Sequence, residues 1–134
     1  MLNFSGKNGA SDANFIAKRK SWRAAQRHCR NLSSDLVTIH SAQENNAVKS
    51  LINSQEVWIG LFSDHWKWSD GSNSFFRFWR LNKPNRLEEQ KCVAAIFQDE
   101  GKWNNRNCQM KFSFICQGGK LVFLIYSLLP ISEN

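Results

Sequence analysis

The spacing of apolar and polar positions changes character near residue 57. Before it, short apolar runs alternate with helical periods. Residues 1–13 are polar, carry two glycines and show no period, which predicts a flexible lead-in. Asn14–Ala17 predicts a short strand and Lys18-Arg19-Lys20 a basic turn. Ser21 is placed as the N-cap of a helix over Trp22–Arg30. On that helix Trp22, Ala25 and Cys29 share one face, and Arg23, Arg27 and Arg30 another. Turn formers over Asn31–Asp35 end it. Leu36–Ile39 predicts a strand. Ser41 and Glu44 fit a capping box, each side chain accepting from the other's backbone N–H. A second helix is expected from Ala42 to about Ile52, burying Ala47, Val48, Leu51 and Ile52.

Beyond residue 57 the pattern favours strands and loops. Val57–Leu61 is wholly apolar and reads as a strand buried on both faces, with Gly60 admitting close backbone approach. Asp70-Gly71 marks a tight turn. Residues 73–91 show no period. A loop of that length in a small domain is usually functional, and Phe75, Phe76, Phe78 and Trp79 argue for a packed one. Strands are expected at Cys92–Phe97 and Lys111–Cys116, with a hairpin turn at Asp99–Lys102. Gly118-Gly119 reads as a hinge before an apolar tail, residues 121–131, too short to span a bilayer.

Length and charge narrow the picture. The chain has 134 residues, enough for one core and not two. Its formal net charge of +7 favours anionic partners. No nucleic-acid motif accompanies that charge, so no nucleic-acid partner is expected. His28, His40 and His65 are scattered without a spaced nucleophile or carboxylate, so no enzyme is expected. Four cysteines suggest two disulfides. A zinc site would want closely spaced cysteine pairs, and the nearest spacing is Cys108 to Cys116. The N-terminus has no apolar signal-peptide core, which is in tension with disulfides and suggests a fragment or an incomplete gene model.

The cysteines and aromatics then carry a resemblance. Cys29 lies in the first helix, Trp58-Ile59-Gly60-Leu61 follows, then Cys92, Trp103-Asn104, Cys108 and Phe114-Ile115-Cys116. Trp22, Trp68-Ser69-Asp70-Gly71, Phe78-Trp79 and Pro84-Asn85 fit the same order. This arrangement resembles the C-type lectin-like domain over about residues 13–117. The resemblance implies an α+β fold, two helices flanking twisted antiparallel sheets with a long irregular loop. It also implies the pairings Cys29–Cys116 and Cys92–Cys108. Residues 1–12 are then a flexible segment, and 118–134 a tail outside the domain.

Sugar-binding members of that family hold one calcium ion in the long loop. Its ligands come from a Glu-Pro-Asn type triplet, a Glu ahead of the third cysteine's strand, and a Trp-Asn-Asp step. Calcium takes six to eight hard oxygens, and carboxylates supply the charge. Here the triplet is Lys83-Pro84-Asn85, Gln90 stands two before Cys92, and the step is Trp103-Asn104-Asn105. Three carboxylates become Lys, Gln and Asn, and Lys83 offers no acceptor. Asn85, Asn104 and Asn105 are degenerate calcium positions, so no metal is expected. Pro84 is a cis candidate by the same resemblance. The expected ligand set is Lys83, Asn85, Glu89, Gln90, Asn104 and Asn105, with Arg77, Arg80 and Arg86 crowding the same loop.

The expected function is non-catalytic carbohydrate recognition with weak or absent calcium dependence. The alternative is a calcium-independent protein-binding module of the same fold. The partner is a glycan or a protein, with anionic character favoured by the charge. The expected location is extracellular, secreted or as an ectodomain. The bland reading of Arg23, Arg27 and Arg30 is a solvated helix surface. The sharper one is attraction to sulfated or sialylated glycans or anionic lipid. Trp58, Trp68 and Trp103 read as core. Asn3-Phe4-Ser5 and Asn31-Leu32-Ser33 are glycosylation sequons if the chain is secreted.

Overall fold

The computed structural model describes residues 2–3, 12–52 and 55–118. Where the expected flexible lead-in is described it is paired strand instead, Leu2–Asn3 against Asp12–Ala13; residues 1 and 4–11, and the tail from 119 onward, lie outside the described residues. In chain order the elements are β1 (Leu2–Asn3), β2 (Asp12–Lys20), α1 (Trp22–Asn31), β3 (Asp35–Leu36), α2 (Ala42–Leu51), β4 (Glu56–Phe62), β5 (Lys67–Trp68), β6 (Cys92–Ile96), β7 (Lys102–Arg106) and β8 (Phe112–Gln117). A short 3₁₀ turn, Phe97–Asp99, follows β6.

The strands form one sheet in the order β1-β2-β8-β4-β6-β7, with β3 on β8 and β5 on β4. Most neighbours are antiparallel, but β4 and β8 run parallel through Val57↔Ser113 and Trp58↔Phe114. The sheet is therefore antiparallel but for this one pair. The reason is topological. The first and last strands of the domain, β2 and β8, pair with each other, and β8 then meets β4 on its other side in the same sense.

Three local expectations also change. Lys18–Lys20 is not a turn: pairing with β8 continues to Lys20↔Phe112 through an irregularity after Ile16. Of the expected strand Leu36–Ile39 only Leu36 pairs as one, joined by Asp35 from the expected turn, although Val37, Thr38 and Ile39 continue it fully buried. Ser41 caps α2 by accepting from Glu44 N at 3.1 Å, but the Glu44 carboxylate turns back one residue further, to the His40 N–H at 2.8 Å. The helix start is thus satisfied by a shifted box.

Other local signals hold. Ser21 Oγ accepts from Ala24 N. Trp22, Ala25 and Cys29 of α1 are buried, while Arg23, Arg27 and Arg30 face outward. A β-carbon on Gly60 would sit 2.9 Å from Val37 O, and the Gly60 N–H donates to that same oxygen. The backbone approach there admits only glycine.

Two apolar clusters fill the sheet's faces. One gathers Ile39, Val48, Ile59, Leu61, Trp68, Val93 and Trp103 under α2 and the long loop. The other gathers Trp22, Ala25, Leu36, Trp58 and Phe114 under α1. Disulfides join Cys29 to Cys116 and Cys92 to Cys108. The first ties α1 to β8 across 87 residues; the second pins the far end of the loop across 16. In the chain-entropy account such closures stabilise by roughly 4–5 and ~3 kcal/mol.

Candidate functional site

The long loop, residues 69–91, leaves the β4–β5 hairpin and returns at β6. Its first arm is fixed by aromatic packing. Trp103 on β7 receives Phe76 and Trp79 edge-on, at ring distances of 5.7 and 5.9 Å. Trp66 packs on the other side of Trp79 at 5.0 Å. Backbone bonds from Trp103 N to Phe78 O and from Arg80 N to Trp103 O lay this arm along β7. Trp103 is itself held from below, since its indole N–H donates to Asn45 Oδ1 at 2.7 Å.

Sequence reasoning missed Asn45. It is a buried amide on α2, three residues before Val48, and its Nδ2 donates to Gly101 O at 3.0 Å. Its place on the apolar face of α2 was the available signal.

The second arm, residues 81–91, is built on amides. The Lys83–Pro84 peptide is cis, as the resemblance implied. Asn105, 0% exposed, sits under the turn. Its Oδ1 accepts from Asn85 N at 3.2 Å. Its Nδ2 donates to Asn85 O and, at 2.9 Å, to Gln90 O. One side chain thus closes both ends of the turn. Lys83 Nζ donates to Asn85 Oδ1 at 2.9 Å.

The structure therefore gathers Lys83, Asn85, Gln90 and Asn105 into one hydrogen-bonded group. Asn104 precedes Asn105 on β7 and is buried. The oxygens Asn104 Oδ1 and Gln90 Oε1 are buried without a hydrogen-bond partner among the described residues. Glu89 is not part of the group: it is exposed and lies 3.3 Å from Arg86 Nε.

The charges of this face largely cancel. Arg80 pairs with Asp99 at 3.0 Å, and Arg106 binds the Glu56 carboxylate through Nε and Nη2. Arg77 donates inward, to Ser74 O and Phe76 O. Lys83 differs, having an amide and not a carboxylate as its hydrogen-bond partner. Burial, and then the nearby Arg106, Arg80 and Arg86, hold its ammonium below the usual lysine value. Among the described residues no group of three His, Cys, Asp or Glu side chains is placed to hold a metal ion.

Comparison with known proteins places this geometry. Residues 18–118 match the family described as "Lectin C-type domain". The chain is 32% identical over 108 residues to ladderlectin of Oncorhynchus mykiss, covering 73% of this chain and 57% of that protein. It is 32% identical over 126 residues to the versican core protein of Bos taurus, covering 90% of this chain and 4% of that protein. The chain thus spans only part of these relatives. Among solved structures, human lithostathine superposes with a TM-score of 0.75 at 29% identity, covering 81% of this chain and 83% of that one. A calcium-independent type II antifreeze protein superposes with a TM-score of 0.77 at 26% identity, covering 82% and 87%.

Proposed function

The chain belongs to the C-type lectin domain family, and from that premise we propose that it is a non-catalytic carbohydrate-recognition module whose loop face works without calcium. The observation that carries the reading is the Lys83 ammonium on Asn85 Oδ1. A calcium site needs about six to eight oxygens and carboxylate charge. The residues present do not fit that demand. Lys83 occupies one amide oxygen, and the Asn85 N–H occupies that of Asn105. The buried oxygens left are those of Gln90 and Asn104, both neutral. The Lys83 ammonium, whose hydrogen-bond partner is an amide, itself opposes a dication. Lys83 serves here as the loop's own cation.

The similarity to a structure described as calcium-independent supports the compatibility of this fold with such a loop. Two disulfides and the family's usual setting support an extracellular location. Among the described residues no helix is long and apolar enough to cross a membrane.

A protein ligand is the second reading, and one observation favours it. Phe75 and Leu81, 90% and 86% exposed, stand out from the same loop. Large apolar side chains so placed suit a protein surface better than a sugar hydroxyl array. A glycan array probed with the intact protein, in calcium and in chelator, tests the proposal. Binding to defined glycans at equal strength in both conditions is expected. Binding abolished by chelator would refute the calcium-free reading. No glycan binding, with a protein ligand blocked by Leu81→Ser, would move the function to the second reading.

A further inference from the structure

A second surface lies away from the loop, where β2 runs into α1. The sequence from 13 to 34 contains no Asp or Glu but carries Lys18, Arg19, Lys20, Arg23, Arg27 and Arg30. Lys18, Arg19 and Lys20 lie in the irregular last stretch of β2, where Lys18 and Arg19 are exposed and Lys20 is half-buried. Arg23 and Arg27 sit one turn apart on α1, about 6 Å along the axis. His28, on α1, packs edge-on against Phe114 of β8 at a ring distance of 5.2 Å. Burial, then the charges of Lys18 and Lys20, lower its pKa.

The pairing Lys20↔Phe112 sets Lys111, also exposed, beside Ser21. Arg23 and Lys91 line one cleft of about 260 Å³ near the start of α1. The first turn of α1 holds no acidic residue, so the helix end adds to the positive field.

The contrast with the loop decides the matter. There the arginines are paired with Asp99, Glu89 and Glu56. Here Lys18, Lys20, Arg23 and Arg27 have no ion-pair partner among the described residues, and Lys18, Arg23 and Arg27 are exposed. Arg30 is the exception, bound to Asp35 and Ser69 O.

We propose that the β2–α1 face, through Lys18, Lys20, Arg23 and Arg27, binds a linear sulfated polysaccharide. A run of cations carried from the end of β2 onto the first turns of α1 suits a chain of repeated anionic groups. Disulfides place the protein where such polysaccharides, and not nucleic acid or inner-leaflet lipid, are the polyanions met. The surface acts independently of the loop.

The test is binding of the full chain to heparin across a sodium chloride series, with chemically desulfated heparin, duplex DNA and phosphatidylserine vesicles as parallel probes. Heparin is expected to bind, desulfated heparin to bind at least tenfold more weakly, and affinity to fall steeply with salt through counterion release. The quadruple variant Lys18→Ser, Lys20→Ser, Arg23→Ser, Arg27→Ser is expected to lose at least tenfold affinity and show a shallower salt slope. Lys18→Ser with Arg27→Ser, both fully surface changes, is expected to lose part of that affinity with an unchanged melting temperature. Lys83→Gln is expected to bind heparin like the native chain, which separates this surface from the loop. Native-like heparin binding in either surface variant would overturn the proposal. So would equal affinity for desulfated heparin, or tighter binding to DNA or vesicles.

Discussion

The two arms of the long loop rest on the same strand but are held by different forces. Residues 76–80 lie on Trp103, and residues 83–90 lie on Asn105, two positions along β7 and so on the same face of that strand. The first arm is fixed by ring contacts among Phe76, Trp79, Trp66 and Trp103, a non-directional attraction spread over much surface. The second has almost no apolar anchor, since Leu81 and Leu87 point outward. It hangs on one buried amide whose value lies in the direction of its bonds. Packing of the first kind tolerates local change in any one contact except the hub. The second kind concentrates dependence in one residue. That pairing gives a rigid base beside a turn whose outer surface is free to vary in chemistry.

The largest effect is expected from Trp103→Ala. It removes the ring on which the aromatic arm sits and strips Asn45 Oδ1 of its buried donor. Large aromatic truncations in cores cost about 3–5 kcal/mol. Urea unfolding should show that loss, and hydrogen exchange should show both arms released, because β7 is their common support. A loss below about 1 kcal/mol, on the scale of an ordinary surface change, would mean the arm is held elsewhere.

Asn105→Ala should separate the arms. It leaves the Asn85 N–H and the Asn85 and Gln90 carbonyls without their partner, at about 1–3 kcal/mol for buried polar groups so stranded. Exchange protection should fall over 83–91 and persist over 76–80. Equal loss in both arms would show that the amide and aromatic supports form one cooperative unit.

How much of this was readable follows the same division. Signals confined to a few residues survived: the Ser21 cap, the apolar stripe of α1, the close approach at Gly60, and the tryptophans as core. Order and spacing of the cysteines reached further, through resemblance. Lys18–Lys20 misled because its polarity is local while its strand state is imposed by β8 across the sheet. The parallel β4–β8 pairing has no local signature at all. In the site, the sequence makes Asn105 an expected ligand position and carries no sign of its inward role. A side-chain amide offers the same atoms to a metal, a sugar or its own backbone, and only the tertiary placement of Asn85 and Gln90 selects among them. Asn45 was hidden for a like reason, being polar by composition and buried by its partners.

The smallest effect sharpens the comparison from the outer surface of the amide arm. Lys83 makes one exposed hydrogen bond, to Asn85 Oδ1, while Arg80, Arg86 and Arg106 oppose its charge. The gain and the repulsion act in opposite directions, so Lys83→Gln should change stability by no more than about 0.5 kcal/mol, in the range of ordinary surface substitutions. Millimolar calcium should move the native melting temperature by under about 1 °C, because a ligand stabilises only in proportion to its binding. The double change Lys83→Glu and Gln90→Glu removes the ammonium and installs two carboxylates in the amide arm. In that variant calcium is expected to raise the melting temperature, and chelator to reverse the rise. Differential scanning fluorimetry on the three proteins reads all of these shifts. A native protein stabilised by several degrees in calcium would show that the amide oxygens outweigh the lysine, and that the second arm is a metal site after all.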